Sequence, residues 1–133
     1  MTKYKQVEVI YILRVSSKEY SIKELQNLFM NPSKSITQIW DKLPNVKKLS
    51  EVNCVEFEAK SYDYVDLEES LDGLLKNIIL ENFHKVKNNK LEITLYIPIY
   101  SKYANPGIWI KKNHIKILSQ IDADINFDVF QIN

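Results

Sequence analysis

Asp122, Asp124, Asn126 and Asp128 crowd a short run near the C-terminus, DADINFDVF. Oxygen ligands spaced Asp-x-Asn-x-Asp are how a calcium loop begins. Such a loop needs a glycine at its sixth position and a bidentate acid at its twelfth. Val129 stands at the sixth, and the chain ends at Asn133, too early for a twelfth. Ile125, Phe127 and Val129 alternate with the polar residues, which is the period of a strand. The alternation predicts that these three face the core and that Asp124, Asn126 and Asp128 face outwards. Two residue pairs along a strand put Asp124 and Asp128 about 13 Å apart, at about 3.3 Å per residue. Paired glycosidase carboxylates sit closer than that. A cross-strand pair such as Asp128 with Glu56, with Glu92 near, stays open as a hydrolase alternative.

Other reactive groups are sparse. His84 and His114 stand 30 residues apart, and no His-x-x-x-His or Cys-x-x-Cys spacing supports zinc. His114 lies beside Lys111 and Lys112, where solvent exposure is expected. The single cysteine, Cys54, has no disulfide partner and sits in the strand-like run VNCVEFEAK, the setting of a small buried hydrophobe. Two glycines, Gly73 and Gly107, leave no room for a phosphate-cradling loop. No catalytic residue, metal or cofactor is expected.

Charge narrows the partner classes. The net charge is +1, and Arg14 is the only arginine among 18 basic residues. Arginine is the usual reader of phosphates and base edges, so a nucleic-acid partner is not expected. No apolar run approaches the roughly 20 residues that span a bilayer. The N-terminal MTKYKQVEVIYILRV carries Glu8 and Arg14 and lacks a small-residue cleavage site, so it reads as a strand rather than a signal peptide. With the lone cysteine, this predicts a cytoplasmic protein. Residues 51–72 hold eight acids and one base, a local charge of −7 that can steer a charged partner or simply be solvated.

The elements that must position these groups follow from periodicity. Val7, Val9, Tyr11, Leu13 and Val15 share one strand face, and Ile10 and Ile12 make the other apolar too, which predicts a central strand. Ser21 with Glu24 forms a capping box, with Tyr20 and Leu25 as its staple, ahead of a short helix that Asn31-Pro32 ends. Pro32 suits the first turn of a second short helix reaching Trp40, before a loop over 41–51. Residues 52–60 alternate as a strand. Asp66 with Glu69 opens the longest helix, whose stripe runs Leu67, Leu71, Leu74, Leu75, Ile78 and Ile79. Gly73 inside it costs up to about 1 kcal/mol relative to alanine, and close packing would account for its presence. Residues 91–100 are a strand, and Pro98 predicts that its far end is an edge or leaves the sheet. A helix over 113–120 and a strand over 123–131 complete the chain.

One domain spanning 1–133 is expected, of α+β class. It has a four-stranded, mostly antiparallel sheet with about three helices on one face, in the order β-α-(α)-β-α-β-α-β. The second sheet face should carry Cys54, Glu56, Glu58, Glu92, Thr94, Tyr96, Asp124, Asn126 and Asp128, either as a docking surface or as plain solvated residues. Tyr96, Tyr100, Tyr103 and Trp109 cluster around Pro98 and Pro106; core packing, a protein interface and base stacking all use such residues.

Four stretches carry a family resemblance: LQNLFMNPSKSITQIWDK, VEFEAKSYDYVDLEESLDGLLKNI, LEITLYIPIY and GIWIKKNHIKILSQIDADINFDVFQ. Together they resemble an uncharacterised bacterial family of small domains of about this length. The chain departs from it in lacking a glycine after the Pro-Ser step and a tryptophan in the second strand. Such α+β chains are similar to immunity proteins encoded beside polymorphic or contact-dependent toxins. That likeness implies a non-catalytic protein that binds a cognate toxin domain and occludes its active or substrate-binding surface. The residues expected to carry binding are Glu56, Glu58, Asp63, Asp66, Glu69, Tyr96, Asp124 and Asp128, with the acids mimicking or masking a phosphate site. The alternative is a small-molecule-binding or regulatory module with a pocket at Tyr100, Tyr103 and Trp109.

Overall fold

The computed structural model describes residues 6–37, 51–86 and 88–132. Strand β1 (Val7–Ser17) is followed by helix α1 (Ile22–Gln26), a short strand β2 (Ser35–Thr37) and strand β3 (Asn53–Tyr62). Helices α2 (Leu67–Lys76) and α3 (Leu80–Lys85) come next, then strand β4 (Glu92–Ser101), helix α4 (Lys112–Gln120) and strand β5 (Asp124–Gln131). The sheet order is β2-β3-β1-β4-β5. The α+β class and element order are as expected, but the described residues form five strands and four helices rather than four and about three, and the sheet is mixed rather than mostly antiparallel, because β4 and β5 run parallel.

The doubly apolar β1 takes the central place that its sequence predicts. Val7, Val9, Tyr11, Leu13 and Val15 are at most 1% exposed and form the floor of the core. Val55 and Phe57 of β3 and Ile93, Leu95, Ile97 and Ile99 of β4 extend that floor on either side. The helices cover it with Leu25, Leu67, Leu71, Leu75, Phe83 and Leu118, joined by Leu28 from the turn after α1. The Phe29 ring lies 4.0 Å from Phe57 and meets Phe83 edge-on at 5.6 Å. The capping box of α1 is present: Ser21 Oγ accepts from the Glu24 N–H, and Glu24 Oε1 accepts from the Ser21 N–H.

Local rules are overridden at four places. Residues 35–37 pair with β3 instead of continuing a helix from Pro32, because an open strand edge offers them backbone partners; 38–40 and all but Glu51 of the expected loop over 41–51 lie outside the described residues. The apolar stripe of α2 does not run on as one helix. The helix stops at Asn77, because Ile78 bridges to Phe29 and Ile79 N–H donates to Leu28 O. Asp66 is the N-cap of α2 but its side chain makes no capping bond. Pro98 does not end β4, which continues to Ser101 between β1 and β5. Its ring nitrogen lies opposite Ile10, so one bond of the β1 ladder is lost while pairing with β5 continues.

His114, expected at the surface, is 2% exposed. Its Nδ1 accepts from the Lys111 N–H at 3.4 Å, so the ring proton sits on Nε2 and is directed at Asp72 Oδ1. The bond fastens α4 to α2, and the neighbouring Lys111–Glu68 ion pair repeats that link at the surface. His114→Ala is expected to lower stability by about 2 kcal/mol in denaturant titration, through the lost bond and the cavity it leaves. Gly73 shows no close approach, since a Cβ there would meet nothing within 4 Å. Gly73→Ala is therefore expected to raise stability by about 0.5–1 kcal/mol.

Candidate docking face of the sheet

Even-numbered residues of β1 point away from the helices, and the strand registers carry that parity across the sheet. One row reads Tyr62, Glu8, Tyr100, Phe130. The next has Lys60 beside Ile10, and Pro98 beside Asp128; below it come Glu58, Ile12, Tyr96 and Asn126. A further row reads Glu56, Arg14, Thr94, Asp124, and the last has Cys54, Ser16 and Glu92. All nine residues expected on this face are there.

No helix among the described residues packs on it. Ile10, Ile12, Tyr96 and Tyr100 stand half-buried at its centre, with Tyr62 36% and Phe130 43% exposed at one end. The Tyr100 and Phe130 rings stack at 5.1 Å and 18°. Charges collect around this centre, and two of the acids are ion-paired. Arg14 contacts Glu56 at 3.2 Å; Lys34 and Lys60 contact Glu58 at 3.2 and 3.4 Å. Tyr96 donates from its hydroxyl to Asp128 at 2.7 Å, and that bond is the largest cause holding its phenol above the usual range. The face is thus an apolar, aromatic centre inside a charged margin in which Glu56 and Glu58 are ion-paired and acids outnumber bases.

Five of the eight expected binding residues meet here: Glu56, Glu58, Tyr96, Asp124 and Asp128. The other three do not. Asp63 occupies the left-handed region (φ 53°) after β3, and its Oδ1 accepts from the Gln6 and Val7 N–H groups at 2.7 and 2.8 Å. It therefore locks the end of β3 to the start of β1. Asp66 is the N-cap of α2 and Glu69 lies in its first turn, and α2 packs on the opposite side of the sheet. Nor do Tyr100, Tyr103 and Trp109 converge on a pocket. Tyr100 is held on the open face by Phe130, whereas Trp109 stacks on Tyr64 at 5.9 Å and Tyr103 is 54% exposed.

Glu56, Glu92 and Asp128 lie on three different strands, and each of Glu56 and Asp128 has its own partner, so no cleft gathers them. Among the described residues, no three His, Cys, Asp or Glu side chains come close enough to hold a metal ion, and no helix is long and apolar enough to cross a membrane. Ile10 and Ile12 lie on the second face of β1, as their alternation with Val9 and Tyr11 places them, whereas Tyr62, Arg14 and Phe130 belong to the face although sequence reasoning did not assign them to it.

The DADINFDVF run divides by structure. Asp122, at φ 55°, is the left-handed residue that stops α4, with its N–H donating to Ser119 O. Asp124, Asn126 and Asp128 take the open face as expected. Ile125 is partly buried, but Phe127 is 49% and Val129 51% exposed, contrary to the core positions expected for them. Their parity is right; β5 is the last strand of the sheet, and α4 packs towards α2 rather than over it.

No protein-family model matches the chain, and no curated protein or solved structure shows significant similarity to it.

Cys54 is 6% exposed, and burial is the first cause pushing its thiol up to about 11, with Glu56 adding to it. At pH 8 almost none is thiolate, the reactive form. Labelling by a disulfide reagent is expected to be slow in the native protein, to quicken as pH approaches 11, and to become fast at pH 8 once the chain is unfolded.

Proposed function

We propose that this chain is a non-catalytic protein-binding module that docks its partner on the open sheet face. The partner is a bacterial toxin domain, which the chain neutralises in the cytoplasm by covering the toxin's active or substrate-binding surface. The observation that supports docking is the group Ile10, Ile12, Tyr96 and Tyr100, left partly open at the centre of the sheet. Contiguous apolar surface of this kind marks interaction sites. An aromatic centre within a polar margin is also the anatomy of an interface, with tyrosine a frequent anchor. The toxin as partner rests on the sequence resemblance.

The ion pairs refine the part given to the acids. Glu56 and Glu58 already have cationic partners, so they do not act as bare phosphate mimics. Paired charges at a rim set orientation and association rate more than affinity. Affinity in this reading comes from burying Ile12, Tyr96 and Tyr100. A small-molecule or regulatory role is the weaker reading, because its expected rings face different ways.

The test begins with the adjacent gene, which this reading expects to encode a toxic C-terminal domain, and continues with co-expression of that domain and a binding titration. Ile12→Lys and Tyr96→Ala are each expected to weaken the complex by about 30-fold or more, the effect of a hot spot of about 2 kcal/mol. Glu69→Lys, on α2, is expected to leave protection intact. Full protection by a folded Ile12→Lys, Tyr96→Ala double variant would reject this face as the binding surface.

A further inference from the structure

The outer edge of β5 is a second surface, separate from the open face. Ile132 N–H donates to Ser101 O on β4 at 2.7 Å. Backbone polar groups alternate in direction along a strand. The even-numbered residues of β5 therefore direct their N–H and C=O towards β4, and Ile125, Phe127, Val129 and Gln131 direct theirs outwards. No described strand pairs with them. Natural edge strands are commonly guarded by charged side chains, lysine above all, or by proline or a bulge; the charges on β5 are Asp124 and Asp128, both on the open face. Between Asp122 and Ile132 there is no lysine, arginine or proline, and β5 pairs with β4 without a break in register. Its helix-side flank is apolar and open at Phe127 and Val129, and Ile115 of α4, 50% exposed, lines the same cleft as Ile125.

We infer that this edge pairs with the β5 edge of a second copy of the chain, antiparallel, about a two-fold axis at Phe127. The strand's own charges select that register. A symmetric antiparallel pair must match outward-directed residues with outward-directed residues. An axis at Asn126 would set Asp124 against Asp128 of the other copy, and an axis at Asp128 would set Asp128 against itself. Like charges directly opposite are destabilising. An axis at Phe127 avoids both and keeps the overlap longest. It places Phe127 against Phe127, and Ile125 against Val129, on the helix side. On the other side it places the Asn126 amide, a donor, against the Asp128 carboxylate, an acceptor. Asp124 meets Phe130. The strand is thus self-complementary, as an isologous interface requires. The open sheet face of each copy stays uncovered, so this pairing is independent of the docking reading above. A single edge pairing is at the small end of protein interfaces, so the dimer is expected to dissociate on dilution.

Light scattering across a dilution series, with cysteine cross-linking in a Cys54→Ala background, tests it. Wild type is expected to pass from dimer to monomer mass on dilution. Phe127→Asp is expected to stay monomeric, with the melting temperature of wild type at dilutions where wild type is also monomeric, since Phe127 is half exposed. Phe127→Cys should form a covalent dimer on oxidation, because directly opposed residues have Cα atoms about 5.5 Å apart. Ile125→Cys should not, because its own copy lies about 13 Å away at about 3.3 Å per residue. A wild type monomeric at every concentration would overturn the inference, including a case where the edge instead takes a strand from another protein. So would a dimer that survives Phe127→Asp, or Ile125→Cys cross-linking as readily as Phe127→Cys.

Discussion

The architecture depends on β1 being paired along both edges and buried on one face only. Its hydrogen bonds run to β3 on one side and β4 on the other, and its odd-numbered side chains are covered by the helices. That combination fixes the parity of every neighbouring strand, since a slip of one residue would send Val9, Tyr11 and Leu13 to the opposite face. Asp63 defends the register at one end by gripping the first backbone amides of β1. Everything assigned to the open face inherits its place from this one strand. Ile10 and Ile12 are the visible cost of it: apolar side chains on the central strand, on the side no described helix covers.

A second constraint explains the asymmetry of the molecule. α4 is fastened to α2 through His114 and Asp72, and to its surface through Lys111 and Glu68. With α4 drawn towards α2, only Ile125 of β5 is brought into the core, while Phe127 and Val129 remain open. The parallel return of the chain to β4 then leaves β5 as an edge with apolar residues on its flank. The same helix placement thus completes the core and creates the edge.

What the sequence disclosed follows the range of each physical cause. Strand parity is local, because alternation is carried by neighbouring residues, and so Glu56, Glu58, Tyr96, Asp124 and Asp128 could be placed on one face before the fold was known. Capping at Ser21 and Glu24 is local too. The misreadings concern partners far away in sequence. His114 is buried by an acid 42 residues earlier in the chain. The helix expected after Pro32 gives way to pairing with β3, and the α2 stripe is cut short by Phe29. Pro98 lies in the interior because its missing N–H faces β1 while β5 bonds the alternate residues. The expected binding set mixed both kinds of inference. Acids on strands were placed by alternation, whereas Asp63, Asp66 and Glu69 were grouped with them by charge alone, and charge density along a chain does not specify a side of a sheet.

A partner complex footprinted by hydroxyl radicals measures the central claim, that the open sheet face is where the partner sits. Tyr62, Tyr96 and Tyr100 are expected to lose reactivity on adding the proposed partner, while Met30 and Trp109, 63% and 50% exposed, keep theirs. Protection of Met30 or Trp109 with the three tyrosines unchanged would contradict the account.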